Sequence, residues 1–219
     1  MDLAKFIDHT LLKASARESE IHKLCAEAIE NKFFSVCVNP RWVSLCRSLL
    51  SGSPIFAITV VGFPLGANEL QIKQKEAALA IEKGADEIDM VIDVENALDH
   101  DWKSVEAEIK ALSRTCGRIP LKVIIETAYL GPEEIREASK CCLFGGAHFV
   151  KTSTGFAPSG AKEEDIKIIK EVVHPTLGIK ASGGIKSLQD AEKMIAAGAT
   201  RIGSSASVAI VQEWKSKNS

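Results

Sequence analysis

Ala147-His148-Phe149-Val150-Lys151-Thr152-Ser153-Thr154-Gly155 is an apolar run that ends on a lysine and passes at once into hydroxyls and glycine. This is the pattern of a buried strand whose carboxyl end opens on a reactive surface. Leu177-Gly178-Ile179-Lys180-Ala181-Ser182-Gly183-Gly184 repeats it. A lysine drawn into such surroundings loses solvation of its ammonium, so its pKa falls and the neutral amine becomes accessible near pH 7. One lysine at a strand end commonly snorkels to solvent. Two in the same setting point to Schiff-base chemistry on a carbonyl.

Outward from these stretches, short β-rich runs recur at 35–38, 57–61, 87–92, 121–125, 149–151, 178–180 and 201–203. The segments between them show helical spacing of apolar residues, as in Ile21, Leu24, Cys25, Ala28 and Ile29, or Trp102, Val105, Ile109 and Leu112. Alternating strand and helix predicts a parallel sheet. Gly84-Ala85, Gly146-Ala147 and Gly198-Ala199 mark an imperfect repeat in which glycine closes a helix before a strand. Pro132 suits a first helical position, and Ser187 with Asp190 resembles a capping box. An eighth strand is needed to close a barrel, and Phe6-Ile7-Asp8-His9-Thr10 supplies the candidate. Polar residues sit at the carboxyl ends of several strands, as the top face of a barrel demands; an open sheet would gather them at one switch point. The expectation is an α/β chain forming one (β/α)8 TIM-type barrel over residues 1–219, with a few loose residues after Trp214.

With 46% hydrophobic residues, the 219-residue chain can bury one sizeable core. A net charge of -2, with acids and bases interspersed, gives no electrostatic case for nucleic acid or an anionic membrane. Six cysteines, at 25, 37, 46, 116, 141 and 142, form no C-x-x-C pair and have no His cluster at zinc spacing. They read as free thiols of a reducing cytosol. The first residues carry no signal-peptide apolar core, and no run approaches the roughly 20 apolar residues of a membrane span. A soluble, cytoplasmic protein is expected.

In Glu87-Ile88-Asp89-Met90-Val91-Ile92-Asp93, strand alternation separates Ile88, Met90 and Ile92 from Asp89, Val91 and Asp93. With the apolar face toward the helices, the carboxylates point into the barrel, where they need cationic partners such as the inward lysines; the alternative for each, favoured for Asp93, is a strand-end aspartate that binds loop amides. Asp8, beside Thr10, is either a second such carboxylate or a helix cap. Cys37 reads as a small core residue rather than a nucleophile. For Glu126, parity leaves both the site and the loops open. Three glycine and hydroxyl clusters, Thr152-Ser153-Thr154-Gly155, Ser182-Gly183-Gly184 and Gly203-Ser204-Ser205, follow late strands and could together form an anion pocket.

These motifs, with Val36-Cys37-Val38-Asn39-Pro40, Val61-Gly62-Phe63-Pro64-Leu65-Gly66 and Lys122-Val123-Ile124-Ile125-Glu126-Thr127, resemble the deoxyribose-phosphate aldolase family over nearly the whole chain. The resemblance implies a class I aldolase that cleaves 2-deoxy-D-ribose 5-phosphate reversibly to D-glyceraldehyde 3-phosphate and acetaldehyde. Lys151 matches the family's Schiff-base lysine, Lys180 the second lysine beside it, and Asp89 the carboxylate that moves protons through a water. Asp8 would orient Lys180, and Thr10 would touch a substrate hydroxyl. Gly155, Gly183, Gly184, Gly203, Ser204 and Ser205 fall in the segments where the family holds phosphate. The resemblance implies no cofactor and no metal, a small phosphorylated sugar or aldehyde as the partner, and pairing into a homo-oligomer through helix faces that the sequence does not single out.

Three positions depart from the family pattern. Asp93-Val94-Glu95-Asn96 places an added carboxylate where many relatives have Asn and a small turn. Ala206 stands where a second phosphate-binding serine is common. The only tyrosine is Tyr129, so none stands near the carboxyl end.

Overall fold

In the computed structural model, which describes residues 2–218, eight parallel strands close into a barrel in chain order. They are β1 (Ile7–Leu11), β2 (Ser35–Val38), β3 (Phe56–Val61), β4 (Glu87–Val91), β5 (Leu121–Ile124), β6 (Phe149–Lys151), β7 (Gly178–Ser182) and β8 (Arg201–Ser204). The first strand pairs with both the second and the eighth, so the segment least visible in the sequence is the one that closes the ring. The helices are α1 (Glu18–Asn31), α2 (Val43–Leu49), α3 (Leu70–Glu82), α4 (Val94–Leu98), α5 (Trp102–Cys116), α6 (Pro132–Gly145), α7 (Glu163–Val173), α8 (Leu188–Ala197) and α9 (Ser207–Asn218).

Alternation divides the apolar residues into two populations. Ile88, Met90, Val123, Val150, Ile179 and Ile202 join the large core between strands and helices. Leu12, Cys37, Ile58 and Val60 form a separate small cluster inside the barrel. Because side chains alternate along a strand, the residues between the outward ones face inward. That places Glu87 and Asp89, Lys122, Lys151, Lys180 and Arg201 in the interior, and all are nearly or fully buried.

Helix ends follow the local chemistry. Pro132 occupies the first turn of α6. Ser187 accepts from the Asp190 amide at 3.2 Å, and Asp190 accepts from the Ser187 amide at 3.0 Å, closing the box at the start of α8. Gly146 ends α6 in the left-handed conformation that only glycine adopts freely.

One expectation is corrected. The residues after Trp214 are not loose: α9 continues to Asn218, anchored by buried Ile210 and Val211, and only Ser219 lies outside the described residues. Asp93 follows the loop-amide reading and does not point into the barrel. Its strand ends at Val91, and Asp93 instead caps α4, accepting from the Asn96 amide at 3.2 Å while its own amide donates to Glu108 at 2.9 Å. Glu108 is in turn paired with the fully buried Lys73.

Candidate active site

Strand pairing sets the layer of charges. Asp89 lies opposite Lys122 across β4 and β5, and Lys151 opposite Lys180 across β6 and β7. Asp89 is wholly buried and accepts from three ammoniums, with Lys122 at 2.8 Å from Oδ1, and Lys151 at 2.9 Å and Lys180 at 2.8 Å from Oδ2. Burial alone would raise the Asp89 pKa, but Lys122, Lys151 and Lys180 outweigh it and hold the carboxyl well below the usual range. Asp8 is equally buried; its Oδ2 lies 2.5 Å from Lys180 Nζ, and its Oδ1 accepts from Ser35 at 2.7 Å and Arg201 at 3.0 Å. Asp8 is therefore no helix cap.

The two lysines differ in electrostatic state. Burial pushes the Lys151 pKa down, and Lys180 adds to the effect against the opposing pull of Asp89. Lys180 feels the same burial, yet Asp8 and Asp89 together outweigh it and raise its pKa. Lys180, with its pKa raised, thus lies beside Lys151, with its pKa lowered. Gly203 makes this packing possible, because a Cβ there would come within 3.1 Å of Lys180 Cε and 3.0 Å of Ser182 Cβ.

Above Lys151 opens a cavity of about 370 Å³. Thr10, Lys151, Gly155, Gly183, Gly184, Gly203, Ser204 and Ser205 all line it, so the three glycine and hydroxyl clusters do converge. The loops that carry them touch through glycine: a Cβ on Gly183, at φ +83°, would meet Gly160 Cα at 3.0 Å and Gly155 Cα at 3.3 Å. Thr10 donates its hydroxyl to the Asp8 carbonyl at 2.9 Å. Ser204 turns its hydroxyl to the Ile185 carbonyl at 2.7 Å and accepts from the Ala206 amide, whereas Ser205 is exposed. Lys13 and Lys186, both exposed, add positive charge to the rim, and Phe156 meets Phe63 edge to face at 5.3 Å on its other side.

Glu126, left open by parity, faces Thr154: it accepts from that residue's amide and, at 2.5 Å, its hydroxyl. It fixes the loop after β6. Cys37 is buried in the interior apolar cluster with its pKa raised by burial, in keeping with a core role. The sequence reading missed Lys122, Glu87 and Arg201, which lie beneath the lysine pair. Lys122 sits between apolar neighbours just as Lys151 does, so the same signal was present. Glu87 and Arg201 begin their strands, where charges are ordinarily solvated; here both are buried, Arg201 lying over Phe34 at 3.4 Å and Phe149 at 5.3 Å and pairing with Glu87.

The model of the DeoC/LacD family aldolases matches residues 3–213. A Clostridium perfringens protein named deoxyribose-phosphate aldolase is 52% identical over 211 residues, covering 96% of this chain and 94% of its own. A Deinococcus radiodurans protein of the same name is 49% identical, covering 96% of each. The solved tetrameric deoxyribose phosphate aldolase of Aeropyrum pernix superposes with a TM-score of 0.91 at 31% identity, over 98% of this chain and 92% of that one. A closed barrel, a lysine pair sharing one buried carboxylate and a glycine-lined cavity above it agree with these likenesses: the chain belongs to the DeoC/LacD family of aldolases.

Proposed function

We propose that this protein is a class I aldolase that reversibly cleaves 2-deoxy-D-ribose 5-phosphate to D-glyceraldehyde 3-phosphate and acetaldehyde, with Lys151 as the nucleophile. The observation that carries the assignment is the placement of Lys151, nearly buried at the cavity floor and sharing Asp89 Oδ2 with Lys180. The neutral Lys151 amine adds to the C1 aldehyde of the open-chain sugar, and loss of water gives a protonated imine. Asp89 moves the protons of these steps through a water. The imine nitrogen then accepts the electron pair of the C2–C3 bond as the C3 hydroxyl loses its proton, leaving an enamine rather than a free carbanion. Protonation at C2 and hydrolysis release acetaldehyde and restore the amine.

Lys180, held by Asp8, keeps a positive charge beside Lys151 throughout. Thr10 accepts from a substrate hydroxyl. Gly155, Gly183, Gly184, Gly203 and Ser205 offer amides and a hydroxyl to the phosphate, and Ser204 shapes the turn. Anchoring the phosphate away from the reacting bond supplies orientation. Residues 1–219 act as one catalytic barrel, in the cytoplasm; among the described residues no helix is long and apolar enough to cross a membrane. Association into a homo-oligomer belongs to the same reading, supported by the tetrameric Aeropyrum pernix relative.

Borohydride reduction in the presence of acetaldehyde or 2-deoxyribose 5-phosphate, followed by peptide mass mapping, tests the assignment. The reduced adduct is expected on Lys151. Absence of an adduct from every lysine of the folded protein would overturn the aldolase reading.

A further inference from the structure

The charges beneath the cavity close into a ring. Arg201 joins Asp8 at 3.0 Å to Glu87 at 3.3 Å; Lys122 joins Glu87 at 2.5 Å to Asp89 at 2.8 Å; Lys180 joins Asp89 at 2.8 Å back to Asp8 at 2.5 Å. Each of these three cations bridges two carboxylates. Lys151 is the fourth cation against three carboxylates, and it reaches a single oxygen, Asp89 Oδ2, which Lys180 already occupies. It is also the member of the set that lines the cavity.

An excess cation in a buried cluster is unfavourable, and the proton is lost where it is held least. Arg201 cannot release one. Lys122 and Lys180 each lie between two carboxylates, so Lys151 is the group whose deprotonation balances the interior. Of the other groups facing it, Cys37 on β2 has its thiol pKa raised by burial, and Glu126 after β5, whose own pKa burial raises, accepts from Thr154 and forms no ion pair with any of the four cations.

We propose that Lys122 and Glu87 are positioning residues that act on Lys151 in opposite senses through this ring, Lys122 by occupying Asp89 Oδ1 and so withdrawing that carboxylate from the Lys151 ammonium, Glu87 by supplying a carboxylate that offsets part of the excess positive charge. Neither lines the cavity. The inference rests on Lys151 being the Schiff-base nucleophile. Its signature is directional. Removing the Lys122 charge frees Asp89 to stabilise the Lys151 ammonium, whereas removing the Glu87 charge leaves a larger excess of cations.

The experiment measures, against pH, the initial rate of borohydride trapping of acetaldehyde on Lys151, together with kcat/KM, for the wild type, Lys122→Met, Glu87→Gln and the double variant. The acid limb of Lys122→Met is expected to move up by about one pH unit or more, and that of Glu87→Gln down by a similar amount. The double variant should return near the wild type. Unmoved midpoints, or displacement of both single variants in the same direction, would overturn the proposal while trapping on wild-type Lys151 still upheld the aldolase. No trapping on wild-type Lys151 would overturn both. If Lys122→Met does not fold, the near-isosteric Glu87→Gln decides alone: a downward shift supports the proposal and an unchanged midpoint overturns it.

Discussion

Lys151 and Lys180 meet at one atom, Asp89 Oδ2, at 2.9 and 2.8 Å. That shared oxygen does not distinguish them; Asp8 does, touching Lys180 alone of the two. In the proposed mechanism this asymmetry makes Lys180 the fixed cation and Lys151 the nucleophile. Lys180→Leu removes the fixed cation and leaves Asp89 Oδ2 to the Lys151 ammonium. A rise of the Lys151 pKa by one to three units follows from loss of a like charge at this range, and each unit is tenfold in neutral amine below the midpoint. Steady-state kinetics at pH 7 should show kcat reduced by about 10²-fold or more, with KM changed only a few-fold. Unchanged turnover would remove this role from Lys180.

Phosphate discrimination is the second expectation. The cavity rim brings together Gly155, Gly183, Gly184 and Ser205, with Lys13 and Lys186 beside them. Binding energy at a group remote from the reacting bond is realised as orientation, so its removal lowers kcat as well as raising KM. Free 2-deoxyribose should therefore react with kcat/KM reduced by about 10²-fold or more relative to its 5-phosphate. Equal specificity constants would contradict an anion pocket here.

The loop contact beneath that rim gives the third. At φ +83° Gly183 occupies backbone space where a side chain is strained, and its Cβ would press within 3.0 Å of Gly160 Cα. Gly183→Ala should cost about 1–3 kcal/mol, lowering Tm by a few degrees in a thermal melt, and raise KM for the phosphorylated sugar through displacement of the loops after β6 and β7. A variant with unaltered KM would show that the Gly183 loop does not shape the substrate site.

The sequence exposes some parts of this site and hides others for physical reasons. Lys151, Lys180 and Asp89 stand out because an ionisable residue in an apolar, alternating strand must be compensated, and compensation is where chemistry is found. Asp93 shares the parity of Asp89 but not its fate, because the chain leaves the sheet at Val91 and the next carboxylate is used to start α4. Parity fails likewise at Glu126, whose left-handed backbone, φ +50°, re-aims the side chain after β5 ends. Arg201 and Glu87 are buried through partners distant in sequence, Arg201 over the rings of Phe34 and Phe149 and the two paired with each other. The tail of α9 shows little periodicity because few of its residues, Ile210 and Val211 among them, reach the core.

The same buried ring makes stability depend on pH. Asp8 and Asp89 both titrate below the ordinary carboxylate range in the folded protein, because the surrounding lysines and Arg201 outweigh the effect of burial. A carboxyl whose folded pKa is depressed contributes stability that is fully present above its unfolded value, about 4, and that is lost as pH falls toward the folded value. His9, buried against Glu27 with its pKa lowered by burial, acts in the same direction from about pH 6.5 downward, since the unfolded chain takes up the proton first. Glu108 and Glu126, whose pKa values burial raises, partly oppose this, because acid relieves their desolvation. The aspartates are fully buried and each meets several cations, so they dominate below pH 4. Urea unfolding should therefore show a shallow decline in stability between pH 6.5 and 5 and a steeper one below pH 4. Asp8→Asn, less stable than the wild type at neutral pH, should lose part of the steep limb. A variant and wild type with parallel acid limbs would show that Asp8 is not ionised in the ring.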